Sequence, residues 1–217
     1  VAAAPGSVAA LPAMPTAAFA LMVAGGLWLA LWRTPVRRWG LAPLAVGALW
    51  ALATPAPDLL VTGDGRHLAV VGTDGKLALL RPRAGDYIHG QLSEGAGSQS
   101  EATALDTLPG ARCGADLCVA DLTRNGRRWR LLATRSPYFV DIEAMNAACA
   151  AADIVVSDRR LPRSCAPRWL QADAALLRRT GGLAIRLDTG TVRAVADEIG
   201  AHPWAPRPGP HSAFPLR

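Results

Sequence analysis

Thr16–Trp32 (TAAFALMVAGGLWLALW) is an uncharged and mostly apolar run that determines how the first quarter of the chain is interpreted. As a helix it would be about 25 Å long, close to the roughly 30 Å hydrocarbon core of a bilayer. A second uncharged run, Gly40–Thr54 (GLAPLAVGALWALAT), follows after a short break. Neither run has the polar stripe that helices of soluble proteins normally carry. The two runs therefore predict a transmembrane helical hairpin, with spans at 16–32 and 40–54.

The loop between the two runs, residues 33–39, contains Arg33, Arg37 and Arg38 and no acidic residue. Because cytoplasmic loops of membrane proteins are enriched in arginine, this loop is predicted to lie in the cytoplasm, with both ends of the hairpin on the outer side. The alternatives are two buried helices of a soluble protein and a secretory signal peptide. A signal peptide carries its positive charge before the apolar run, whereas here the charge follows it. Residues 1–15 are then a short outer segment.

The charges of the chain are divided unevenly between its parts. Residues 1–57 contain no aspartate or glutamate, whereas residues 58–200 contain 18 basic and 17 acidic residues. The formal net charge of +6 therefore arises mainly from the hairpin loop and from the tail after residue 200. A sequence pI near 9.9 would suggest a nucleic-acid partner. The segment that can form a globular domain is nevertheless almost neutral, so net charge alone does not identify a partner.

Residues 58–200 predict a domain of mixed α and β structure, α+β or α/β in class, with one modest core. The strongest local signal is Asn125-Gly126 between two strand-like runs, Leu117–Leu122 and Arg128–Thr134, because Asn-Gly favours a tight β-hairpin turn. Asp173 can cap a helix that Gly181 ends. Further strands are predicted at Arg66–Val71, Lys76–Arg81, Asp153–Ser157, Leu183–Leu187 and Thr191–Val195, helices at Gly85–Leu92, Asp141–Ala152 and Asp173–Arg179, a surface loop at Glu94–Thr107, and a disordered Pro-rich tail at 201–217.

Four cysteines, Cys113, Cys118, Cys149 and Cys165, lie in the predicted outer domain. An even number of cysteines outside the cytoplasm favours disulfides, and four cysteines allow three pairings. Cys113–Cys118 with Cys149–Cys165 is the favoured pairing, because each bond closes a short loop. Zinc would require spacings such as C-x2-C and usually a nearby histidine, and neither occurs. Plain buried thiols are the other alternative.

The motifs of common catalytic and cofactor sites are absent from the sequence. The histidines at 67, 89, 202 and 211 form no H-x-H or H-E-x-x-H pattern, so they suggest no metal site. Ser157 follows an apolar strand, but no G-x-S-x-G surrounds it. Neither glycine motif of nucleotide-binding loops occurs. The sequence therefore predicts no catalytic residue, no metal ligand and no cofactor.

Two clusters of arginines are candidate contacts for the phosphates of a nucleic acid. One lies on the predicted Asn-Gly hairpin, and the other follows the predicted strand Asp153–Ser157. Trp129 and Trp169 lie among them and could stack on bases. The alternative is a solvated face whose charges pair with the acids of the domain. The candidate contact residues are Arg128, Arg130, Arg159, Arg160, Arg163 and Arg168.

The order of these features resembles the C-terminal part of ComEC-type competence proteins, the inner-membrane channels for DNA uptake in bacteria. The similarity covers nearly the whole chain except its tail. It rests on a Pro-rich segment before an apolar hairpin, followed by several long stretches. These are LPAMP (Leu11–Pro15), PAPDLLVTGDGRHLAV (Pro55–Val70), DGKLALLRPRAGDY (Asp74–Tyr87), GARCGADLCVA (Gly110–Ala120) and AADIVVSDRRLPRSCAPRWL (Ala151–Leu170).

The resemblance implies a polytopic protein of the bacterial inner membrane that moves single-stranded DNA from the periplasm into the cytoplasm. Many members end in a metallo-β-lactamase-type domain with an H-x-H-x-D-H motif, which is absent here. At the position of a later histidine pair, the chain has Ser157-Asp158-Arg159-Arg160. The small mixed domain is therefore expected to resemble a degenerate metallo-β-lactamase half without its metal ligands.

The resulting hypothesis is a membrane-anchored fragment of a competence channel. Its periplasmic domain, residues 58–200, would support the uptake of single-stranded DNA without catalysis. Its expected partners are single-stranded DNA, the lipid bilayer, an upstream channel region of the same protein and other competence proteins. One alternative is a hydrolase or nuclease of metallo-β-lactamase type with unusual carboxylate ligands such as Asp58, Asp64 or Asp158. The other is a purely structural membrane module.

Overall fold

A computed structural model of the protein describes residues 14–98, 100–138 and 140–199, so the predicted tail 201–217 and nearly all of the outer segment 1–15 lie outside the described residues. The chain divides into two compact units. One comprises the helical hairpin and residues 94–98, and the other comprises residues 57–93 and the chain from residue 100 onwards.

The first unit is built on a hairpin of two helices, α1 (Thr16–Leu31) and α2 (Leu41–Ala53), joined through a 3₁₀ turn at Pro35–Gly40. The Trp28 indole Nε1 donates a hydrogen bond to the carbonyl oxygen of Val36, 3.1 Å away, and so ties α1 to the connection. A helical hairpin is thus present within one residue of the predicted bounds. Among the described residues, no helix combines the length and the apolar character needed to cross a membrane.

The second unit contains two mixed β-sheets with helices, in agreement with the predicted mixed class. The strands are β1 (Leu59–Thr62), β2 (Leu68–Val71), β3 (Leu77–Leu79), β4 (Thr103–Ala104), β5 (Ala111–Cys113), β6 (Leu117–Arg124), β7 (Arg127–Thr134), β8 (Ile154–Val156), β9 (Leu170–Ala172), β10 (Gly182–Arg186) and β11 (Thr191–Ala194). One sheet has six strands in the order β11-β10-β1-β2-β3-β4, antiparallel except for the β3–β4 pair. The other has the order β5-β6-β7-β8-β9, in which β7, β8 and β9 are parallel. The helices are α3 (Asp86–Ala96), which begins in this unit, α4 (Ile142–Ala151), α5 (Ala174–Thr180) and α6 (Val195–Ile199), with a 3₁₀ turn at Leu105–Thr107.

Local sequence signals explain several of these elements. Asn125 and Gly126 have φ angles of 48° and 75°, and two successive positive φ angles are what the tight turn between β6 and β7 requires. The Asp173 carboxylate accepts the backbone N–H groups of Ala175 and Leu176 at 3.0 Å, which caps α5 as predicted. Gly181, with φ of 70°, ends the same helix.

The main core lies between the two sheets. Inward-facing side chains come from both, among them Leu59 and Leu68 from the first sheet and Trp129, Leu131 and Ile154 from the second. A smaller cluster lies on the other face of the second sheet, where α4 packs. Leu132 of β7 and Val155 of β8 there contact the cluster that contains Met145 and Cys149 of α4. The β7–β8 pair is therefore covered on both faces, as buried parallel strands usually are.

Two arginines tie the sheets together at opposite ends of the sandwich. Arg81, just after β3, donates to the backbone carbonyl oxygen of Arg135, just after β7, from Nε and Nη2 at 3.0 and 2.7 Å. At the other end, Arg124 of β6 forms an ion pair with Asp58 and donates to the carbonyl oxygen of Val71. Arginine suits this role because its rigid fork offers several donors at once.

Several short elements differ from those predicted from the sequence. Strands β1, β5 and β9 and helix α6 were not predicted, and α3 continues to Ala96, inside the predicted loop Glu94–Thr107. The rest of that loop contains β4 and a 3₁₀ turn. Strands of two to four residues are too short for a periodic pattern. Pairing with other strands determines their conformation, and for β1 the partner is as distant as Ile185, which pairs with Leu59.

Candidate functional site

The carboxyl ends of the parallel strands β7 and β8 bring a group of polar residues together. Thr134 is the last residue of β7, and Ser157 and Asp158 directly follow β8. Ligand sites in sheets with parallel strands commonly lie beyond this end of the strands. We refer to Thr134, Ser157 and Asp158 with the loop that continues to Arg163 as the carboxyl edge.

Hydrogen bonds link the polar side chains of the carboxyl edge. Thr134 Oγ1 lies 3.2 Å from Ser157 Oγ and 3.3 Å from Asp158 Oδ1. The backbone N–H of Arg159 donates to Ser157 Oγ at 3.2 Å. Thr134 and Ser157 are both almost completely buried. Their hydroxyl groups are thus fixed in position, as buried polar groups with partners are.

Asp158 is held by the guanidinium of Arg81. Arg81 Nη2 lies 3.3 Å from Asp158 Oδ2, and the two side chains are 22% and 13% exposed. The same guanidinium donates through Nη1 to the carbonyl oxygen of Arg66 at 2.8 Å. The carboxylate of Asp158 therefore already has a cationic partner and a hydroxyl partner.

A pocket of about 270 Å³ opens beside the carboxyl edge, between the ends of β7 and β8 and the first turn of α4. Its walls are mostly apolar, with the buried hydroxyl groups of Thr134 and Ser157 among them. Two guanidinium-bearing residues also line it, Arg159 and Arg160. The apolar lining consists of Val140, Ile142, Met145, Leu161 and Pro162.

The structure separates the six candidate arginines into two places. Arg159, Arg160 and Arg163 lie on the loop after β8, at the carboxyl edge. Arg168 leads into β9, and its backbone N–H donates to the carbonyl oxygen of Ala152, so it lies at the amino end of β8. The second predicted cluster, 159–168, is therefore split between the two ends of the sheet.

Only some of these arginines are open to a ligand. Arg159 is committed to the carbonyl oxygen of Pro137 at 3.1 Å and lies 3.7 Å from Asp158. Arg160 and Arg163 are exposed, and within the described ranges neither forms a hydrogen bond or an ion pair. These two side chains are therefore the accessible cations of the carboxyl edge.

The arginines at the amino end are largely engaged within the domain. Arg130 donates to the Asp121 carboxylate at 2.7 and 3.2 Å, and this hydrogen bond holds the pKa of Asp121 below its ordinary value. Arg168 Nη1 lies 3.4 Å from Asp153, which also accepts the backbone N–H of Arg130. Arg128 is exposed on β7. Arg130 and Arg168 thus match the alternative of arginines that pair with the acids of the domain.

The tryptophans do not form the predicted stacking surface. Trp129 is 2% exposed and belongs to the core between the sheets. Its ring packs against Trp169 with centroids 4.8 Å apart, and the guanidinium of Arg127 lies 3.8 Å above it. The prediction failed for Trp129 because its position on β7 points it inward.

The carboxylates considered for an unusual hydrolase occupy different environments. Asp58 pairs with Arg124 at one end of the sandwich, and Asp158 pairs with Arg81 at the other. Asp64 lies in the turn between β1 and β2 and accepts the hydroxyl of Thr62. Within the part of the chain that the structure describes, no three His, Cys, Asp or Glu side chains are grouped so that they could hold a metal ion.

His67 is a half-buried residue just before β2. Its backbone carbonyl accepts the N–H of Thr62, and its Nδ1 is buried with no hydrogen-bond partner among the described residues. Burial lowers the pKa of His67 below its ordinary value of 6.5, and the nearby Asp64 only partly opposes this effect. His67 is therefore a neutral imidazole in the folded domain near pH 7.

The cysteines form two disulfides, Cys113–Cys118 and Cys149–Cys165, consistent with the favoured pairing. Cys113 and Cys118 face each other across β5 and β6, with Cα atoms 4.0 Å apart. Cys149–Cys165 joins α4 to the loop after β8, with Cα atoms 5.3 Å apart. This second bond tethers the loop that contains Arg160 and Arg163.

The arginines of the carboxyl edge were among the residues predicted from the sequence, whereas Ser157 was not predicted as a site residue and the pocket was missed. Its walls combine Val140 and Ile142, from the start of α4, with Leu161 and Pro162 from the loop after β8. No local signal connects these two segments. The spacing of Cys149 and Cys165 was the one available indication that α4 and this loop lie together.

Comparisons with models of known protein families, with curated proteins and with solved structures found no match for this chain.

Proposed function

We propose that this chain is the membrane-anchored C-terminal part of a ComEC-type DNA-uptake protein of the bacterial inner membrane. The hairpin inserts into the bilayer from the periplasmic side, and the β-sandwich lies in the periplasm. There it contacts single-stranded DNA on its way to an upstream channel region and other competence proteins, without catalysing a reaction. The observation that carries the proposal is the inverted packing of the hairpin, in which small residues are inside and large apolar residues outside.

Small residues form the contact between α1 and the helical segment that follows it. A Cβ atom added to Gly25 would lie 2.6 Å from the carbonyl oxygen of Gly40, and one added to Gly47 would lie 2.7 Å from the carbonyl oxygen of Ala18. The backbones therefore approach so closely that only glycine fits. Helix pairs in membranes commonly use small residues in this way, because lipid provides no hydrophobic force to bury large ones.

The large apolar side chains of the hairpin point outward. Leu31 is 76% exposed, Trp39 75% and Leu49 67%, and Phe19 and Leu52 are similar. A water-soluble domain rarely exposes so continuous an apolar surface. In a bilayer the same surface is matched by the lipid tails, which supports insertion of the hairpin.

The exposed arginines of the connection support an orientation. Arg33, Arg37 and Arg38 are all exposed, and the hairpin contains no acidic residue to pair with them. Because arginine is retained on the cytoplasmic side, this connection faces the cytoplasm. The β-sandwich, which follows the second helix, then lies in the periplasm. The two disulfides agree with that location, since disulfides persist in oxidising compartments.

Arg160 and Arg163 support the contact with DNA. Both are exposed on one loop, which the Cys149–Cys165 disulfide tethers, and Arg160 also lines the pocket. Exposed guanidinium groups bind phosphates without reading sequence. The pairing of Asp158 with Arg81 argues for a non-catalytic role, because that carboxylate is already occupied.

The anchor is tested by the full chain expressed in bacteria. Alkaline carbonate should leave the protein in the membrane fraction, and protease added to spheroplasts should degrade the β-sandwich but spare the connection at Arg33–Arg38. Release of the protein by carbonate would refute the anchor. Protection of the β-sandwich from protease would refute the proposed orientation.

The DNA contact is tested by fluorescence anisotropy with the full chain in detergent and labelled single-stranded DNA. Arg160→Gln and Arg163→Gln should each weaken binding. Arg193→Gln, on the edge strand β11 of the other sheet, is the matched control and should leave binding unchanged. Equal affinity of all four proteins, or no binding by the wild type, would leave a structural membrane module as the better account.

A further inference from the structure

We propose that the pocket at the carboxyl edge binds one base of single-stranded DNA, while Arg160 holds a neighbouring phosphate. This inference rests on the proposed function and adds the part of the ligand that the pocket would accept. It explains why an apolar cavity lies beside an unpaired cation, since a purely ionic contact with DNA would require the cation but not the cavity.

The volume and lining of the pocket suit a single ring. At about 270 Å³, the pocket is smaller than the ~300–1,000 Å³ typical of sites for larger ligands, and it therefore fits a single ring system. Met145 and Leu161 offer apolar surface, and Ile142 at the first turn of α4 is 63% exposed. A base removed from the stack gains from contact with such surfaces.

The charges around the pocket fit the phosphate on either side of a bound base. Arg160 lines the pocket and Arg163 follows on the same exposed loop, and neither is neutralised by an acid among the described residues. Asp158, the acid in this loop, is held by Arg81. A negatively charged backbone can therefore pass along the loop while one base turns into the pocket.

The test compares two labelled strands of equal length and charge, an oligothymidylate and a strand of abasic sites, with the full chain in detergent. The wild type should bind the oligothymidylate about fivefold more tightly or better, the effect expected for one base in contact with protein. Ile142→Trp should fill the pocket and bring this preference close to one. Ile199→Trp, a similarly exposed isoleucine on α6, is the matched control and should retain the preference.

The outcomes separate the two proposals. Equal binding of both strands by the wild type, with a loss in Arg160→Gln, overturns the base pocket and leaves the contact with DNA intact. A preference that persists or grows in Ile142→Trp means that the base binds elsewhere, which also overturns the inference. No binding of either strand overturns both proposals.

Discussion

Replacement of Arg81 by methionine should strongly destabilise the β-sandwich. Methionine keeps much of the volume of the side chain but removes every donor. The carbonyl oxygens of Arg66 and Arg135 then lose the donors of Arg81, and the carboxylate of Asp158 loses one of its two cationic neighbours. Arg66 precedes β2 of one sheet, whereas Arg135 and Asp158 follow β7 and β8 of the other. The change therefore removes the contacts that hold one end of the sandwich closed.

The magnitude follows from the burial of the pair. Removing one partner of a buried ion pair costs about 3–5 kcal/mol, because the other charge is left without compensation. The Arg81 and Asp158 side chains are 22% and 13% exposed, and Arg159 lies 3.7 Å from Asp158, so water and a second cation partly compensate the charge that remains. We therefore expect a loss near the lower limit, about 3 kcal/mol in the free energy of unfolding. For a domain of this size this corresponds to roughly 10 °C in the unfolding temperature.

The assay is urea unfolding of the full chain in detergent, followed by near-ultraviolet circular dichroism. Lys76→Met is the matched control, since it breaks the exposed ion pair with Asp74, and it should cost much less than Arg81→Met because exposed ion pairs contribute little to stability. Asp158→Asn in the Arg81→Met background should recover part of the loss, because it removes the carboxylate charge that Arg81 no longer compensates. If Arg81→Met costs no more than Lys76→Met, the assignment of Arg81 as the link between the sheets is wrong.

Three further predictions address other parts of the molecule. Gly47→Leu should weaken the helical hairpin by about 1–3 kcal/mol through overpacking against Ala18 and Met22, whereas Gly26→Leu, at a position with open space around it, should not. Thermal unfolding of the helical circular-dichroism signal compares the two variants, and equal losses of stability would contradict the proposed contact between the helices. Replacing Cys149 and Cys165 by serine should lower the free energy of unfolding in urea by about 3 kcal/mol, because their bond closes a 16-residue separation. This loss should be larger than the loss on replacing Cys113 and Cys118, which are only five residues apart. The reverse order would contradict this chain-entropy argument. The pKa of His67 is lower in the folded than in the unfolded chain, so the unfolded chain binds the proton first as the pH falls. The free energy of unfolding should therefore fall as the pH drops below about 6.5, and His67→Gln should remove this pH dependence. An identical pH profile for the variant would show that His67 is not the source of the dependence.

The local features of the fold could be predicted from the sequence because they depend on neighbours in the chain. Asn125-Gly126 specifies its turn through two positive φ angles, and Asp173 specifies the start of α5 through hydrogen bonds to the next turn. The same holds for the hairpin helices, whose bounds follow from uninterrupted apolar runs between prolines and arginines. In each case the determining interaction spans only a few residues.

The features that were missed depend on contacts between distant segments. Arg81 and Asp158 are 77 residues apart, and neither carries a local signal for their contact. The prediction that Arg159, Arg160, Arg163 and Arg168 form one cluster failed because the chain crosses the sheet between Arg163 and Arg168 to enter β9. Trp129 was misjudged for a related reason, since the direction of its side chain depends on which face of β7 meets the other sheet.

The most direct test of the central claim is the salt dependence of single-stranded DNA binding by the full chain in lipid nanodiscs. Each phosphate contact with single-stranded DNA contributes about −0.7 to the slope of log affinity against log salt concentration. The double variant Arg160→Gln with Arg163→Gln should therefore have a slope shallower by about 1.4 than the wild type, while Arg193→Gln should match the wild type. Equal slopes for all three proteins would show that the carboxyl edge does not contact DNA.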